Sequence, residues 1–96
     1  MTIEQFNPNE VRVKIFKALA DDTRLQIIKK LYETGKELSC GEACPEDLSS
    51  KSNASYHFRT LREAGLIKVR KEAQNRLVTL QQETFERYLP GFLDTL

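Results

Sequence analysis

The sequence contains no long apolar segment. No stretch of its 96 residues approaches the ~20 consecutive apolar residues that a transmembrane helix needs. Residues 1–6 include Glu4 and form no apolar signal-peptide core. These absences argue against a membrane-spanning or secreted protein. We therefore expect a cytoplasmic protein that does not act at a membrane.

Cysteine and histidine are scarce. The two cysteines, Cys40 and Cys44, are expected to be free thiols in a chain that is not secreted, and the single histidine is His57. No carboxylate partner for His57 and no glycine-rich phosphate loop is evident, and the cysteine spacing is not the Cys-x-x-Cys of a thiol oxidoreductase. The inventory argues against an enzyme and favours His57 as a hydrogen-bonded packing residue.

Charge is distributed unevenly along a chain whose length suits one domain spanning residues 1–96. The net charge is only +1, but residues 50–80 carry seven basic and two acidic side chains, whereas the remainder carries eight basic and twelve acidic ones. A basic third on an acidic body indicates a polyanionic partner. On charge alone, a merely solvated surface remains the alternative.

Hydrophobic periodicity predicts four helices before residue 65. A first helix over 10–20 is followed by a second that begins at Asp21 or Asp22 and ends at Gly35. Residues 40–48 allow only a short third helix, because Pro45 lies within them. Ser50 is expected to cap a fourth helix over 51–64, whose inward stripe is Ala54, Phe58 and Leu61.

After Gly65 the period changes to that of short strands. Ile67 and Val69 belong to one strand and Leu77 and Leu80 to the next, joined by a turn at 73–75 in which Asn75 is able to take a left-handed conformation. A last helical stretch up to Leu96 should be interrupted and kinked at residues 90–91. The predicted fold class is α+β, mostly helical, with a winged helix-turn-helix architecture.

The outward face of the fourth helix has the composition of a major-groove reader. Small side chains allow close approach to base edges, asparagine pairs with adenine, and arginine pairs with guanine. The residues predicted to read bases are Ser52, Asn53, Ser55, Tyr56 and Arg59. A polar helix face that merely contacts solvent is the alternative.

The hairpin is expected to add backbone contacts. Its basic side chains, Lys68, Arg70, Lys71 and Arg76, cluster around one turn, as in a wing that contacts the minor groove or phosphates. Lysines that protect an edge strand from aggregation are the alternative explanation. The residues predicted to contact phosphate are Lys51, Arg62, Arg70 and Arg76.

Two segments resemble the ArsR-type family of bacterial repressors: residues 16–28, FKALADDTRLQII, and residues 52–67, SNASYHFRTLREAGLI. The resemblance extends over roughly residues 10–82. It implies a winged-helix repressor that binds double-stranded DNA as a homodimer and is released by an inducer, often a metal or metalloid ion. It also implies dimerisation through the first and last helices, with Val11, Ile15, Leu19, Phe85, Leu89, Phe92 and Leu96 as candidates. Packing against the second helix is the alternative for these apolar stripes.

The inducer is not evident from the sequence. Arsenite-sensing members of the family carry Cys-Val-Cys-x-x-Cys after Glu-Leu, whereas Glu37-Leu38 is followed here by SCGEAC, so that only Cys44 coincides with a family cysteine. Cys40 and Cys44 remain weak candidates for binding a soft metal or metalloid ion, or for sensing an oxidant. The alternative function is a winged-helix protein-interaction module that does not bind DNA.

Overall fold

The computed structural model of the chain describes residues 7–45 and 51–96, with the side chains of residues 51 and 52 excepted. The elements are α1 (Pro8–Leu19), α2 (Asp22–Thr34), β1 (Leu38–Ser39), α3 (Cys40–Ala43), α4 (Lys51–Glu63), β2 (Ile67–Glu72), β3 (Asn75–Leu80), α5 (Gln82–Tyr88) and a 3-10 turn (Leu93–Thr95). The predicted α+β, mostly helical class is confirmed. Within the described ranges, no helix is long and apolar enough to span a membrane.

Side-chain caps determine where the first two helices begin. The Asn7 side chain accepts a hydrogen bond from the Asn9 amide at 2.9 Å, and Pro8 occupies the first helical position, where a missing N–H costs nothing. Asp21 caps α2 by accepting from the Arg24 amide at 3.0 Å. Gly35 ends α2 in a left-handed conformation, with φ of 68°. The predicted capping residue Ser50 lies outside the described residues.

Three antiparallel strands form a sheet in the order β1-β3-β2. β2 and β3 pair from Ile67 opposite Leu80 to Glu72 opposite Asn75. Asn75, which could have taken the left-handed conformation, instead begins β3, and Ala73 has the positive φ, 57°. Two-residue hairpin loops of types I′ and II′ both need a positive φ at their first central residue, which here is Ala73.

The last helical stretch is interrupted around residues 90–91, as predicted, and the interruption is a break rather than a kink. α5 ends at Tyr88, and the chain resumes helical geometry only in the short 3-10 turn Leu93–Thr95. Pro90 disfavours helical geometry at the residue before it, and Gly91 has a φ of 85°. The Tyr32 hydroxyl donates a hydrogen bond to Asp94 at 2.7 Å, which ties this segment to α2.

The core surrounds one face of α2. Ile27 and Ile28 have no exposed surface, and Leu31 is 1% exposed. Side chains from the other elements pack around them, including Ile15, Leu19, Phe58, Leu61, Leu66, Val78 and Phe85. The sequence prediction that Ile15, Leu19 and Phe85 lie at a dimer interface is therefore corrected. They are at most 6% exposed in the single chain, so a partner has almost no surface of theirs to cover.

Ala73→Gly should stabilise the protein. A left-handed conformation costs an L-residue with a Cβ about 1–2 kcal/mol, more than the ~0.5–1 kcal/mol entropic cost of glycine. We expect the melting temperature to rise by a few degrees, given roughly 4–8 °C per kcal/mol in a domain of this size. Gln74→Gly is the control, because Gln74 has no positive φ to relieve. A lower melting temperature for Ala73→Gly would contradict this account of the turn.

Candidate nucleic-acid interface

Helix α4 separates an apolar face from a polar one. Phe58 is 6% exposed and Leu61 is fully buried, while Ala54 is half-buried and packs against the same core. The opposite face exposes Asn53, Ser55, Tyr56, Arg59 and Arg62. The structure thus brings five of the predicted DNA-contacting residues onto one exposed face. Lys51 and Ser52 were predicted for the same interface, but their side chains are not among those that the structure describes.

Three guanidinium groups lie beside this face without an acceptor among the described residues. Arg59 and Arg62 on α4 and Arg76 on β3 line a groove of about 890 Å³ between α4, the α3 segment and the hairpin. They make no hydrogen bond or ion pair with any part of the chain that the structure describes. None of the groove's described lining residues is a carboxylate. Because arginine pairs readily with phosphate, this surface suits a polyanion.

Arg70, by contrast, already has carboxylate partners. Its Nε and Nη2 donate to the two carboxylate oxygens of Glu37 at 2.8 and 2.9 Å, and Nη2 also lies 3.4 Å from Glu72. The hydrogen bonds from Arg70 hold the pKa of Glu37 below its usual value. Sequence reasoning missed this bidentate pair, because its members are 33 residues apart. To contact a phosphate, Arg70 has to use the N–H groups that do not bind Glu37, or release Glu37 and bind the phosphate in its place.

A second feature that the sequence did not predict is a buried arginine behind α4. Arg24 is only 8% exposed, and its Nη1 lies 3.1 Å from His57 Nδ1. Asp21 Oδ2 is 3.8 Å from the same nitrogen. His57 is therefore a hydrogen-bonded packing residue, as predicted, and it has a nearby carboxylate that the sequence did not indicate. Helical spacing could have indicated that Arg24 is buried, because it lies on the same face of α2 as Ile27, Ile28 and Leu31.

The two thiols do not form a metal site with the described residues. Cys40 and Cys44 are free and half-buried, and the Cys44 amide donates to the Cys40 carbonyl at 3.1 Å. Among residues 7–45 and 51–96, no group of three or more potential ligands could hold a metal ion. A tetrahedral zinc site needs four ligands, and the two thiols supply only two of them. The described donor set therefore does not complete a zinc site.

Burial also makes the thiols poor nucleophiles. It raises the pKa of Cys40, which the Arg76 guanidinium only partly offsets, and it raises the pKa of Cys44, which Lys30 only partly offsets. The thiolate is the reactive form, and a raised pKa lowers its population at a given pH.

Comparison with known proteins gives consistent matches. Residues 9–70 match the model of a helix-turn-helix domain. The chain is 53% identical over 96 residues, 100% of this chain and 95% of the relative, to the uncharacterized HTH-type transcriptional regulator YceK of Bacillus subtilis. It is 39% identical over 62 residues, 65% of this chain and 52% of the relative, to the arsenical resistance operon repressor of Escherichia coli.

A solved structure matches the fold. The homodimeric winged helix-turn-helix DNA-binding domain of Mb0332 from Mycobacterium bovis, a possible ArsR-family regulator, superposes with a TM-score of 0.68. The match covers 81% of this chain and 70% of that one at 24% identity. The predicted winged helix-turn-helix fold is confirmed.

The raised thiol pKa values predict slow alkylation. At pH 7.5, iodoacetamide should modify the folded protein more slowly than free cysteine, and the rate should still be rising above pH 9 because the thiolate population forms late. Mass spectrometry of Cys40→Ser and Cys44→Ser resolves the two sites, and urea-unfolded protein is the control. A rate that reaches a plateau below pH 8 would show an activated thiolate instead.

Proposed function

Because the chain belongs to the ArsR-type family of helix-turn-helix transcriptional regulators, we propose that it represses transcription by binding operator DNA as a homodimer. Two copies of α4 enter successive major grooves about one helical turn (~34 Å) apart, on an imperfect palindrome. Residues 1–96 act as one domain. Repression follows when the bound dimer blocks polymerase at an overlapping promoter. The inducer is unassigned, and nothing in the described donor set favours a metal ion.

The observation that carries this proposal is the exposed face of α4 next to arginines that have no partner in the described part of the chain. Small hydrogen-bonding side chains, Asn53 and Ser55, precede Tyr56 and Arg59 on that face. We assign base reading to Ser52, Asn53, Ser55, Tyr56 and Arg59, and phosphate contact to Lys51, Arg62, Arg70 and Arg76. A winged helix used only for protein contacts has no need for these unpaired cations.

The proposed dimer surface includes the outer face of α1. Val13 and Phe16, one helical turn apart, are 50% and 53% exposed, although large apolar side chains favour burial. The C-terminal segment adjoins α1, since the Arg12 guanidinium lies 5.9 Å from the centre of the Tyr88 ring. Val11, Leu89, Phe92 and Leu96 keep part of their surface exposed and remain candidates for the same interface.

Arg59→Ala should weaken operator binding by about 1–3 kcal/mol and relax specificity at one base pair, because a bidentate contact to guanine is lost. Fluorescence anisotropy on the DNA upstream of the protein's own gene, with single base-pair changes, measures both effects. Lys29→Ala is the matched control, since it removes an exposed positive charge from α2. If Arg59→Ala instead weakens binding equally on every DNA sequence, Arg59 contacts phosphate rather than a base.

The same titrations repeated at several salt concentrations test the DNA-binding proposal as a whole. Affinity for duplex DNA should fall steeply with salt, because phosphate contacts release counterions. Absence of binding to any duplex would favour the protein-interaction module instead.

Phe16→Glu should give a monomer, because a carboxylate that is buried without a partner opposes association. Sedimentation velocity at micromolar concentration should show a dimer for the wild type and a monomer for the variant. Tyr56→Glu is the matched control: its ring is also 53% exposed but lies on α4, so this variant should stay dimeric and lose DNA binding. A monomeric wild type would end the dimer proposal, and a dimeric Phe16→Glu would move the interface away from α1.

A further inference from the structure

The two halves of α4 are attached to the body of the protein in different ways. The apolar anchors Phe58 and Leu61 lie in the second half of the helix. In the first half, Asn53, Ser55 and Tyr56 are exposed and Ala54 is only half-buried. His57 is the most deeply placed of the polar side chains described there, with 12% of its side chain exposed. The half proposed to read bases therefore depends on a polar contact as well as on packing.

That contact leads to a guanidinium held firmly from the opposite side. Arg24 Nε donates to the Ala18 carbonyl at 2.6 Å, and Nη2 lies 3.5 Å from the Lys17 carbonyl. Both carbonyls belong to the last turn of α1, where helical carbonyls lack intrahelical partners and a cation is favoured. Arg24 thus joins the end of α1 to α4 through its third nitrogen.

The geometry defines the role of each atom. Arginine can only donate, so His57 Nδ1, at 3.1 Å from Arg24 Nη1, must be the acceptor, and this hydrogen bond requires the tautomer with its proton on Nε2. Asp21 Oδ2, at 3.8 Å from Nδ1, is beyond hydrogen-bond distance. The Arg24 guanidinium carbon also lies 5.7 Å from the centre of the Tyr56 ring, within the range of a cation–π contact. One buried cation therefore contacts two consecutive residues of α4.

We propose that Arg24, acting through His57, is a positioning residue for base readout: it sets the placement of the first half of α4 and of the Tyr56 ring without touching DNA. The proposal rests on the proposed function. Base contacts tolerate only about 0.5 Å or 10–20° of misplacement, whereas attraction between arginines and phosphates tolerates more. Loss of the contact between Arg24 and His57 should therefore reduce discrimination between DNA sequences more than it reduces binding to DNA in general.

The decisive comparison is between His57→Asn and His57→Leu. Asparagine can place its Oδ1 where Nδ1 lies and still accept from Arg24, whereas leucine has a similar size and no acceptor. Arg24→Lys tests the other partner, since it keeps the charge but loses the fork of donors. Because Arg24→Lys also loses the contacts to α1 and can lower stability, the His57 pair provides the matched test.

Two measurements on each full-length variant separate positioning from stability. The first is the ratio of affinities for the upstream DNA and an unrelated duplex, measured by anisotropy. The second is amide hydrogen exchange of residues 55–57 in the DNA-free protein, with the amide of Leu61 as the internal reference. His57→Leu and Arg24→Lys should lower the affinity ratio by about tenfold, the size expected for one lost charge-assisted hydrogen bond, and should speed exchange at 55–57. His57→Asn should resemble the wild type in both.

The outcomes distinguish this proposal from the proposed function. If the wild type prefers the upstream DNA and the His57→Leu variant keeps the same affinity ratio, the positioning role of Arg24 is overturned and the proposed function is not. The same holds if His57→Asn loses as much discrimination as His57→Leu. A wild type that shows no preference for any operator overturns both proposals. If His57→Leu or Arg24→Lys lowers the melting temperature but leaves the affinity ratio unchanged, the Arg24 contact only stabilises the fold. That result also overturns the positioning role.

Discussion

The buried stripe of α2 is the constraint on which the other elements depend. Ile27 and Ile28 have no exposed surface, so α1, α4 and the sheet must all pack around this helix to exclude water from it. The same stripe contains Arg24, and a buried guanidinium imposes a stricter condition than an apolar side chain, because its donors need acceptors at defined positions. The end of α1 and the ring of His57 on α4 meet that condition. Packing thus brings the helices together, and one charge specifies how two of them meet.

Local signals predicted most of the architecture, and long-range contacts account for what they missed. Period and capping residues located α1, α2, α4 and the hairpin, since Asp21 and Gly35 act within a few residues of themselves. β1 has only two residues, Leu38 and Ser39, too few for an alternating pattern, and it exists because β3 offers an edge to pair with. Ile15, Leu19 and Phe85 were expected at a dimer surface because periodicity identifies an apolar face without saying whether the same chain or a partner covers it.

The candidate site likewise has one part that the sequence predicted and another part that depends on long-range contacts. The exposed polar face of α4 followed from helical period, because Phe58 and Leu61 fix which side faces inward. The ion pair of Arg70 with Glu37 and the contact of Arg24 with His57 each join residues 33 positions apart, and composition or spacing within one segment cannot reveal such a pairing. The partial burial of both thiols, which raises their pKa values, depends on three-dimensional surroundings that the sequence does not show.

In the proposed mode of DNA binding, affinity and selectivity reside in different groups of residues. Arg59, Arg62 and Arg76 present charge that no described residue pairs with, and charge attracts phosphate over distances of about a Debye length whatever the base sequence. Selectivity needs the short polar side chains at the start of α4 to meet base edges, which is a requirement on geometry rather than on charge. An inducer therefore does not have to cover or neutralise the basic surface to release the operator. In the proposed mode of binding, a small rotation of α4 would be enough to remove the preference for one sequence, and the protein would then be distributed over the far more numerous non-specific sites. On this argument, the residues behind α4, rather than those that face DNA, determine how readily the repressor is released.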